Sequence, residues 1–293
     1  MKKLVLVLIS SLFLLTGNLF AQDLMDLLKD DAPTTEYAYA TFKGTHVVLG
    51  QSVENPAKGV LQFVIAHNFG RINQGPYQLF GLDQSTIRFG LDYGITPWLG
   101  VGVGRSSYQK TYDGYVKAKI FRQRTGAENF PLTVDYFGSI ALNSLKWANP
   151  DRKNFFSSRL SYTHQLLIAR KFSNAVSLQL SPTLVHKNLV ASAADANDLY
   201  LLGASGRFKL SQRTTLNLEY FYGFNKPETA KNTLSVGLDM ETGGHVFQFR
   251  VSNAQPMFEP GYLTETTGDF FKGDIYFGFT ISRVFTIVRP EME

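Results

Sequence analysis

A repeated alternation of apolar and polar residues is the feature that most limits how this chain can fold. Twelve runs of this kind follow one another from Val60 to Phe285, with turn signals between them. Such alternation is typical of strands whose two faces meet different surroundings. In the last run, Ile275, Phe277 and Phe279 fall on one face, so this face requires an apolar neighbour. The pattern predicts an all-β fold, an antiparallel transmembrane β-barrel of about 12 strands.

The connections between the runs alternate in length, as they do in barrels with short periplasmic turns and longer outer loops. The short connections are residues 96–98, 173–175, 211–213 and 242–244, and the longer ones are residues 70–82, 143–156, 188–198, 225–232 and 254–272. Two connections fit this rule less well. Residues 125–131 are long for a turn, and residues 108–114 are short for an outer loop.

The start of the chain has the three parts of a secretory signal. Lys2 and Lys3 give a positive start, residues 4–15 form an apolar core, and Ala21 ends the cleavage region. The core is shorter than the roughly 20 apolar residues of a membrane-spanning helix. We expect a cleaved signal peptide at residues 1–21, an N-terminal periplasmic or luminal segment at 22–58, the barrel at 59–287 and a periplasmic tail at 288–293.

The segment from Thr45 to Glu54 also has strand character, but a thirteenth strand would begin outside the cell. Because the N-terminus of such a barrel stays periplasmic, we expect this segment inside the lumen or below it. Several glycines of the early strands share the inward register, where glycine often marks the close approach of another backbone. Contact with an inserted N-terminal plug and relief of barrel curvature are equal alternatives for these glycines. They are Gly90, Gly94, Gly100, Gly102 and Gly104.

Several stretches, spread in order over the mature chain, resemble a family of membrane-bound β-barrels of unknown function from Bacteroidota. The resemblance implies an outer-membrane barrel and no established activity. The stretches are residues 43–54, 90–96 (GLDYGIT), 165–173 (QLLIARKFS), 183–190 (TLVHKNLV), 241–248 (ETGGHVFQ) and 273–285.

The inward register carries charges of both signs. The basic residues are Arg88, Lys117, Lys119, Arg159, Lys187, Arg207, Lys209 and Arg250, and the acidic ones are Asp92, Asp135, Glu219, Asp239 and Glu241. One interpretation is a solvated interior with ion pairs along the wall, and the other is a lumen that favours anions, since rings of Arg or Lys select for them. The formal charge of +5 falls to +3 when Lys2 and Lys3 are removed (5 − 2), which is too mild to indicate a nucleic-acid partner.

The sequence assigns no catalytic residue, metal site or cofactor. None of the five His residues has a metal-ligand spacing, and the absence of Cys excludes disulfides and thiolate chemistry. His67 and His164 fall on the apolar face of their strands. Such a His can lie among lipid headgroups at the membrane interface, or it can be the catalytic His of an enzyme that acts on lipid. Ser158 shares the parity of His164, but six residues of strand span about 20 Å, too far for proton transfer.

The sequence predicts a barrel in the Gram-negative outer membrane and leaves three functions open. The first is a channel or transport-type barrel with a mildly basic lumen, gated by its N-terminal segment and passing small anionic solutes. The second is an outer-membrane enzyme that acts on lipid through an exterior His. The third is a structural or scaffold barrel that binds periplasmic or surface partners. Outer-membrane lipid and the barrel assembly machinery are the expected partners in each case.

Overall fold

The computed structural model describes residues 34–242 and 245–289. The expected signal peptide, the start of the N-terminal segment and the last residues of the tail lie outside these ranges. The chain divides into two compact units. Among the described residues, the larger unit comprises residues 38–123 and those from 131 onward, and the smaller comprises residues 34–37 and 124–130.

The described chain contains a short helix, α1, of residues Glu259–Thr264, and a series of strands. The strands are β1 (Thr35–Tyr37), β2 (Val60–Arg71), β3 (Ser85–Thr96), β4 (Leu99–Ser106), β5 (Tyr112–Phe121), β6 (Arg124–Gly126), β7 (Thr133–Leu142), β8 (Leu160–Lys171), β9 (Val176–Lys187), β10 (Asp198–Lys209), β11 (Thr214–Gly223), β12 (Thr233–Thr242), β13 (His245–Ser252) and β14 (Tyr276–Thr286). No helix among the described residues is both long and apolar enough to cross a membrane.

Twelve of the strands, all but β1 and β6, close into one antiparallel barrel. This confirms the predicted fold class and strand number. Neighbouring strands in the chain are neighbours in the wall, and β14 pairs with β2 to remove both sheet edges. Val60 and Thr286 lie at the barrel end that carries the short connections, which we call the turn end. The opposite end is the loop end.

In the structure, the alternating apolar and polar residues of each strand lie on opposite faces of the barrel wall. Large apolar side chains such as Phe89, Val103 and Leu180 are exposed on the outer face. Their neighbours along the strands, such as Arg88 and Gln179, are buried on the inner face. Side chains alternate across a strand, so the outer face suits lipid and the inner face suits a polar filling.

The smaller unit explains one connection that the alternation rule leaves too long. Residues 122–132, between β5 and β7, contain β6, which pairs with β1 in a two-stranded antiparallel sheet. Gly126 adopts a positive φ of 102°, which a residue with a side chain rarely takes. Within this unit Arg124 forms an ion pair with Glu128 at 2.8 Å. The extra length therefore encodes a second, small sheet.

Two parts of the chain fill the barrel. Residues 38–58, which we call the luminal segment, enter from the turn end and contact inward side chains of β3, β5, β9, β11 and β13. Residues 253–275, which we call the loop insert, connect β13 to β14 at the loop end and contain α1. Every residue of α1 is buried. Residues 45–54, which we expect inside the lumen or below it, make most of these contacts.

Aromatic residues close the seam between β2 and β14. The ring centroids of Phe277 and Phe69 lie 5.8 Å apart, and those of Phe279 and His67 lie 5.2 Å apart. We expect the double substitution Phe277→Asp and Phe279→Asp to lower the folded fraction, because each carboxylate facing lipid costs up to about 2 kcal/mol. The heat-dependent shift of the folded band on a gel measures this fraction.

The substitution Phe271→Asp is the matched control, because Phe271 is 89% exposed in the loop insert. It should leave the folded fraction unchanged. A normal folded fraction in the double variant would show that the seam does not face lipid.

Candidate functional site

The candidate site is the filled lumen, and its centre is a tight hairpin of the luminal segment. The Val47 amide donates to the Gly50 carbonyl at 2.8 Å, and the Ser52 amide donates to the Thr45 carbonyl at 2.9 Å. The turn between them points three consecutive backbone N–H groups in one direction. The segment is therefore a reverse turn and not a thirteenth strand.

Those N–H groups hold a carboxylate of the wall. Glu219 on β11 accepts hydrogen bonds from the amides of Val48, Leu49 and Gly50 at 3.0 to 3.4 Å. Successive amides in a turn form a concavity that binds anions. A Cβ at Gly50 would lie 2.8 Å from the Phe221 ring, so only glycine allows this approach. Glu219 is 1% exposed, and these amides supply its hydrogen-bond donors.

A cation of the opposite wall holds the carbonyl side of the same hairpin. Lys117 on β5 is fully buried, and its Nζ donates to the Thr45 carbonyl at 3.3 Å, to Gln51 Oε1 at 3.2 Å and to the Ser52 carbonyl at 3.0 Å. Three acceptors use all three protons of the ammonium group. Lys117 and Glu219 thus grip the hairpin from two sides by opposite charges.

Gln51 joins the luminal segment to the loop insert. Its Nε2 donates to Glu259 Oε1 at 2.9 Å and lies 3.0 Å from His46 Nε2. Burial lowers the pKa of His46 well below its ordinary value, so the ring is neutral and its Nε2 accepts a hydrogen bond. Burial also raises the pKa of the Glu259 carboxyl. Both amide protons of Gln51 thus have an acceptor, and Lys117 donates to its side-chain oxygen.

Basic side chains bind the luminal segment again near the turn end. Lys119 Nζ donates to the Val53 carbonyl at 2.6 Å, and Lys171 Nζ donates to the Tyr39 carbonyl at 2.8 Å. Lys43 of the segment forms an ion pair with Glu241 at 2.8 Å. Along the luminal segment, most of the polar contacts are hydrogen bonds between side chains of the wall and backbone groups of the segment.

Apolar residues complete the filling. Val47, Val48, Val53 and Phe42 pack with inward side chains of the wall, and Leu49 packs with residues of the loop insert. The inward wall residues of these apolar clusters are Ala66, Tyr115, Phe137, Leu167, Ala169, Val185, Leu199, Leu201 and Phe221. A cavity of about 20 Å³ between the segment and the wall has room for about one water molecule. At mid-height the lumen is occupied by protein.

The charged residues that the sequence places in the lumen fall into three groups. Lys117, Lys119, Glu219, Glu241 and, through Thr45 Oγ1 at 3.4 Å, Asp92 contact the luminal segment. Others bond within the wall or to the loop insert, namely Arg88, Asp135, Lys187, Arg207, Asp239 and Arg250. Arg159 lies just before β8 in the outer loop, and Lys209 is exposed at the last residue of β10.

The five inward glycines face two kinds of neighbour. A Cβ at Gly94 would overlap the carbonyl oxygens of Pro56 and Ala57, and a Cβ at Gly100 would lie 3.1 Å from Asn55 Oδ1. These two positions face the luminal segment. Gly90, Gly102 and Gly104 instead face side chains of the wall.

Important residues of the site escaped the sequence analysis. Asp113 forms the ion pair with Arg88. Its signal in the sequence is that it shares the inward parity of Lys117 on the same strand. Gly237, whose Cβ would lie 3.1 Å from Val48, is a further glycine against the segment. Gln51 and Glu259 carry no local signal, because only the fold brings them together.

In the described part of the chain, two histidines of the wall have hydrogen-bond partners other than serine. His164 Nδ1 bonds the Tyr136 hydroxyl at 2.7 Å, and His186 Nδ1 lies 2.6 Å from Asp198 on the strand beside it. Among the described residues, no hydrogen bond joins a Ser hydroxyl to His67, His164 or His186. No group of three His, Asp or Glu among them is arranged to hold a metal ion.

Comparisons with known proteins add a family and several similar solved structures. The model of a family described as "Membrane bound beta barrel domain (DUF5777)" matches residues 42–285. No curated protein sequence matches the chain. The chain is similar to the NanC porin, with 8% identity, 78% of this chain and 100% of that chain covered, and a TM-score of 0.48. It is also similar to the KdgM porin, with 11% identity, 78% of this chain and 99% of that chain covered, and a TM-score of 0.46. An outer membrane channel from Pseudomonas putida F1 is similar as well, with 11% identity, 79% of this chain and 97% of that chain covered, and a TM-score of 0.46.

A disulfide can test the position of the luminal segment, because the chain has no cysteine of its own. A Cβ at Gly100 would lie 3.8 Å from the Asn55 Cβ, the separation that disulfides prefer. We expect the full-length variant Asn55→Cys with Gly100→Cys to form an intramolecular disulfide on mild oxidation. A maleimide that labels free thiols measures the disulfide, because after oxidation it should label neither cysteine.

The control pairs Asn55→Cys with Val101→Cys, since Val101 is the next residue of β4 and points to the other face. This pair should keep its thiols under the same conditions. Equal oxidation of both pairs, or none of the first, would place the segment elsewhere.

Proposed function

Since the chain belongs to the membrane bound beta barrel domain family, we propose that it is a transport-type barrel of the outer membrane, closed at rest by its luminal segment. A closed antiparallel barrel with an apolar outer face is a structure that spans an outer membrane. The signal-like start of the chain supports export. Outer-membrane lipid and the barrel assembly machinery are the partners that this location implies.

The polar character of the contact between segment and wall carries the proposal. Lys117 and Lys119 donate to backbone carbonyls of the segment, and Glu219 accepts from its amides. Water can replace each of these bonds when the segment leaves, so departure exposes groups that water solvates well. The apolar contacts of the valines at the hairpin tip favour the closed state. The combination suits a gate that is closed at rest and can open.

The charges of the wall bear on the solutes that would pass. Among the described inward side chains that are buried or half-buried, the basic ones are Arg88, Lys117, Lys119, Lys171, Lys187, Arg207 and Arg250, and the acidic ones are Asp92, Asp113, Asp135, Glu219 and Asp239. The excess is two positive charges (7 − 5). We therefore propose a mild preference for small anionic solutes.

A structural or scaffold barrel is the second candidate, and the filled lumen favours it. A barrel that never opens would also pack its interior with its own chain. The two candidates differ in whether the luminal segment can leave the lumen. A lipid-acting enzyme has less support, because His164 bonds a tyrosine and the described histidines bond no serine.

We expect the full-length variant Lys117→Met to conduct more often than wild type in a planar bilayer. The substitution leaves three acceptors of the segment without their donor and so weakens the closed state. Adding the oxidised Asn55–Gly100 cysteine pair should abolish the extra conductance, and a reducing agent should restore it. The variant Lys209→Gln, at an exposed lysine of the same wall, is the matched control and should behave as wild type.

Conductance of Lys117→Met that persists in the oxidised cysteine variant would mean that ions pass by another route. A silent Lys117→Met variant that runs as a folded barrel on a gel would favour the structural barrel.

A further inference from the structure

The loop end of the barrel holds a large open cavity above the filled lumen. Its volume is about 1190 Å³, larger than most small-ligand sites. We call this cavity the vestibule. Its lining includes Tyr108, Gln109, Arg159, Lys187 and Glu265. A solute that arrives from the loop end meets this surface before it meets the luminal segment.

One carboxylate of the protein is already bound in the vestibule. Glu265 Oε1 lies 2.8 Å from Lys187 Nζ, and Glu265 Oε2 accepts from Gln109 Nε2 at 3.1 Å. Lys187 and Gln109 therefore hold both oxygens of one carboxylate. Asn143 Nδ2 in turn donates to Gln109 Oε1 at 2.9 Å, which turns the Nε2 of Gln109 toward the bound carboxylate.

The backbone at Gln109 and Lys110 adopts a conformation that is unfavourable for residues with side chains. Gln109 and Lys110 have φ values of 51° and 49°, in the left-handed region where residues with side chains are uncommon. Such conformations persist where the surrounding structure requires them and are concentrated at binding sites. In this conformation Gln109 bonds the same carboxylate as Lys187.

The other charged groups of the vestibule bond their own neighbours or are exposed, and none of those described bonds Lys187. Arg159 Nη1 donates to the carbonyls of Asn143 and Leu145, and its guanidinium lies 3.8 Å from the Trp147 ring centroid. Asp195 accepts hydrogen bonds from the amide and the hydroxyl of Ser192, which stabilise its carboxylate. Lys226 and the exposed Glu228 also belong to the lining.

We propose that the vestibule is a binding site for carboxylate-bearing solutes, and that Glu265 occupies the site when no solute is bound. An arriving carboxylate exchanges with that of Glu265, keeps the contacts to Lys187 and Gln109, and releases Glu265 to water. The inference deepens the proposed function by naming the solute class. It rests on that function only for the steps after binding.

The position of Glu265 connects the vestibule to the luminal segment. Glu265 directly follows α1, and Glu259 begins it and bonds Gln51 of the luminal segment at 2.9 Å. Six helical residues span about 9 Å. The displaced carboxylate and the contact to the luminal segment are thus the two ends of one short helix.

Calorimetric titration of the full-length protein in detergent with the peptide Glu-Glu-Glu tests the site. We expect wild type to bind this peptide and not Lys-Lys-Lys. Glu265→Gln removes the internal competitor and should tighten binding about tenfold, whereas Lys187→Gln removes the ammonium and should weaken it about tenfold. An ion pair with only a structural role cannot give opposite signs for its two partners. The double variant should bind as weakly as Lys187→Gln.

The ion pair between Asp269 and Lys272 is the matched control. It also lies at the loop end, its atoms are 4.0 Å apart, and Lys272 is 80% exposed. Asp269→Asn and Lys272→Gln should leave binding unchanged, and the gel shift on heating should show that every variant is folded. Weaker binding in Glu265→Gln, no binding to either wild type or that variant, or equal binding of Lys-Lys-Lys would overturn the proposal. Because no membrane is involved, a failure of conduction leaves this result intact.

Discussion

The inward polar groups of the closed barrel need partners, and the rest of the structure depends on how that need is met. Removing one charge from water costs several kcal/mol unless other groups replace the water. Lys117 and Glu219 are buried on opposite parts of the wall, and one hairpin serves both of them. It supplies two backbone carbonyls and the side-chain oxygen of Gln51 to Lys117, and three backbone amides to Glu219. The hairpin itself gains the partners that its backbone lacks outside a sheet. Wall and luminal segment are thus stable together.

The same need explains why the lumen is filled from both ends. The luminal segment enters at the turn end and the loop insert at the loop end, and Gln51 and Glu259 meet between them. Their contact lies among polar groups, and the apolar residues of both segments pack against the inward apolar side chains of the wall. Closure of the sheet removes its edges, and the two segments remove the empty space that the closed sheet would enclose.

Alternation predicted the strand number, the strand faces and the closure, because each of these follows from a period of two along the chain. It also placed Lys117, Glu219 and Gly100 on the inner face. It could not identify Gln51 or Glu259 as partners, since their contact joins residues more than 200 positions apart. One available signal was not used. Phe137, Leu167 and Phe221 are large apolar residues on the inward register, and a lumen filled only with water gives no reason for them.

Hydrogen–deuterium exchange of the full-length protein in lipid vesicles tests the central claim, that the luminal segment occupies the lumen at rest and is held there by the wall. The amides of Val48, Leu49 and Gly50 should exchange as slowly as those of the barrel strands. In the variant Glu219→Leu, which removes their acceptor, they should exchange much faster while the strands stay protected. Exchange of these three amides in the wild type at the rate of an unfolded chain would contradict the account.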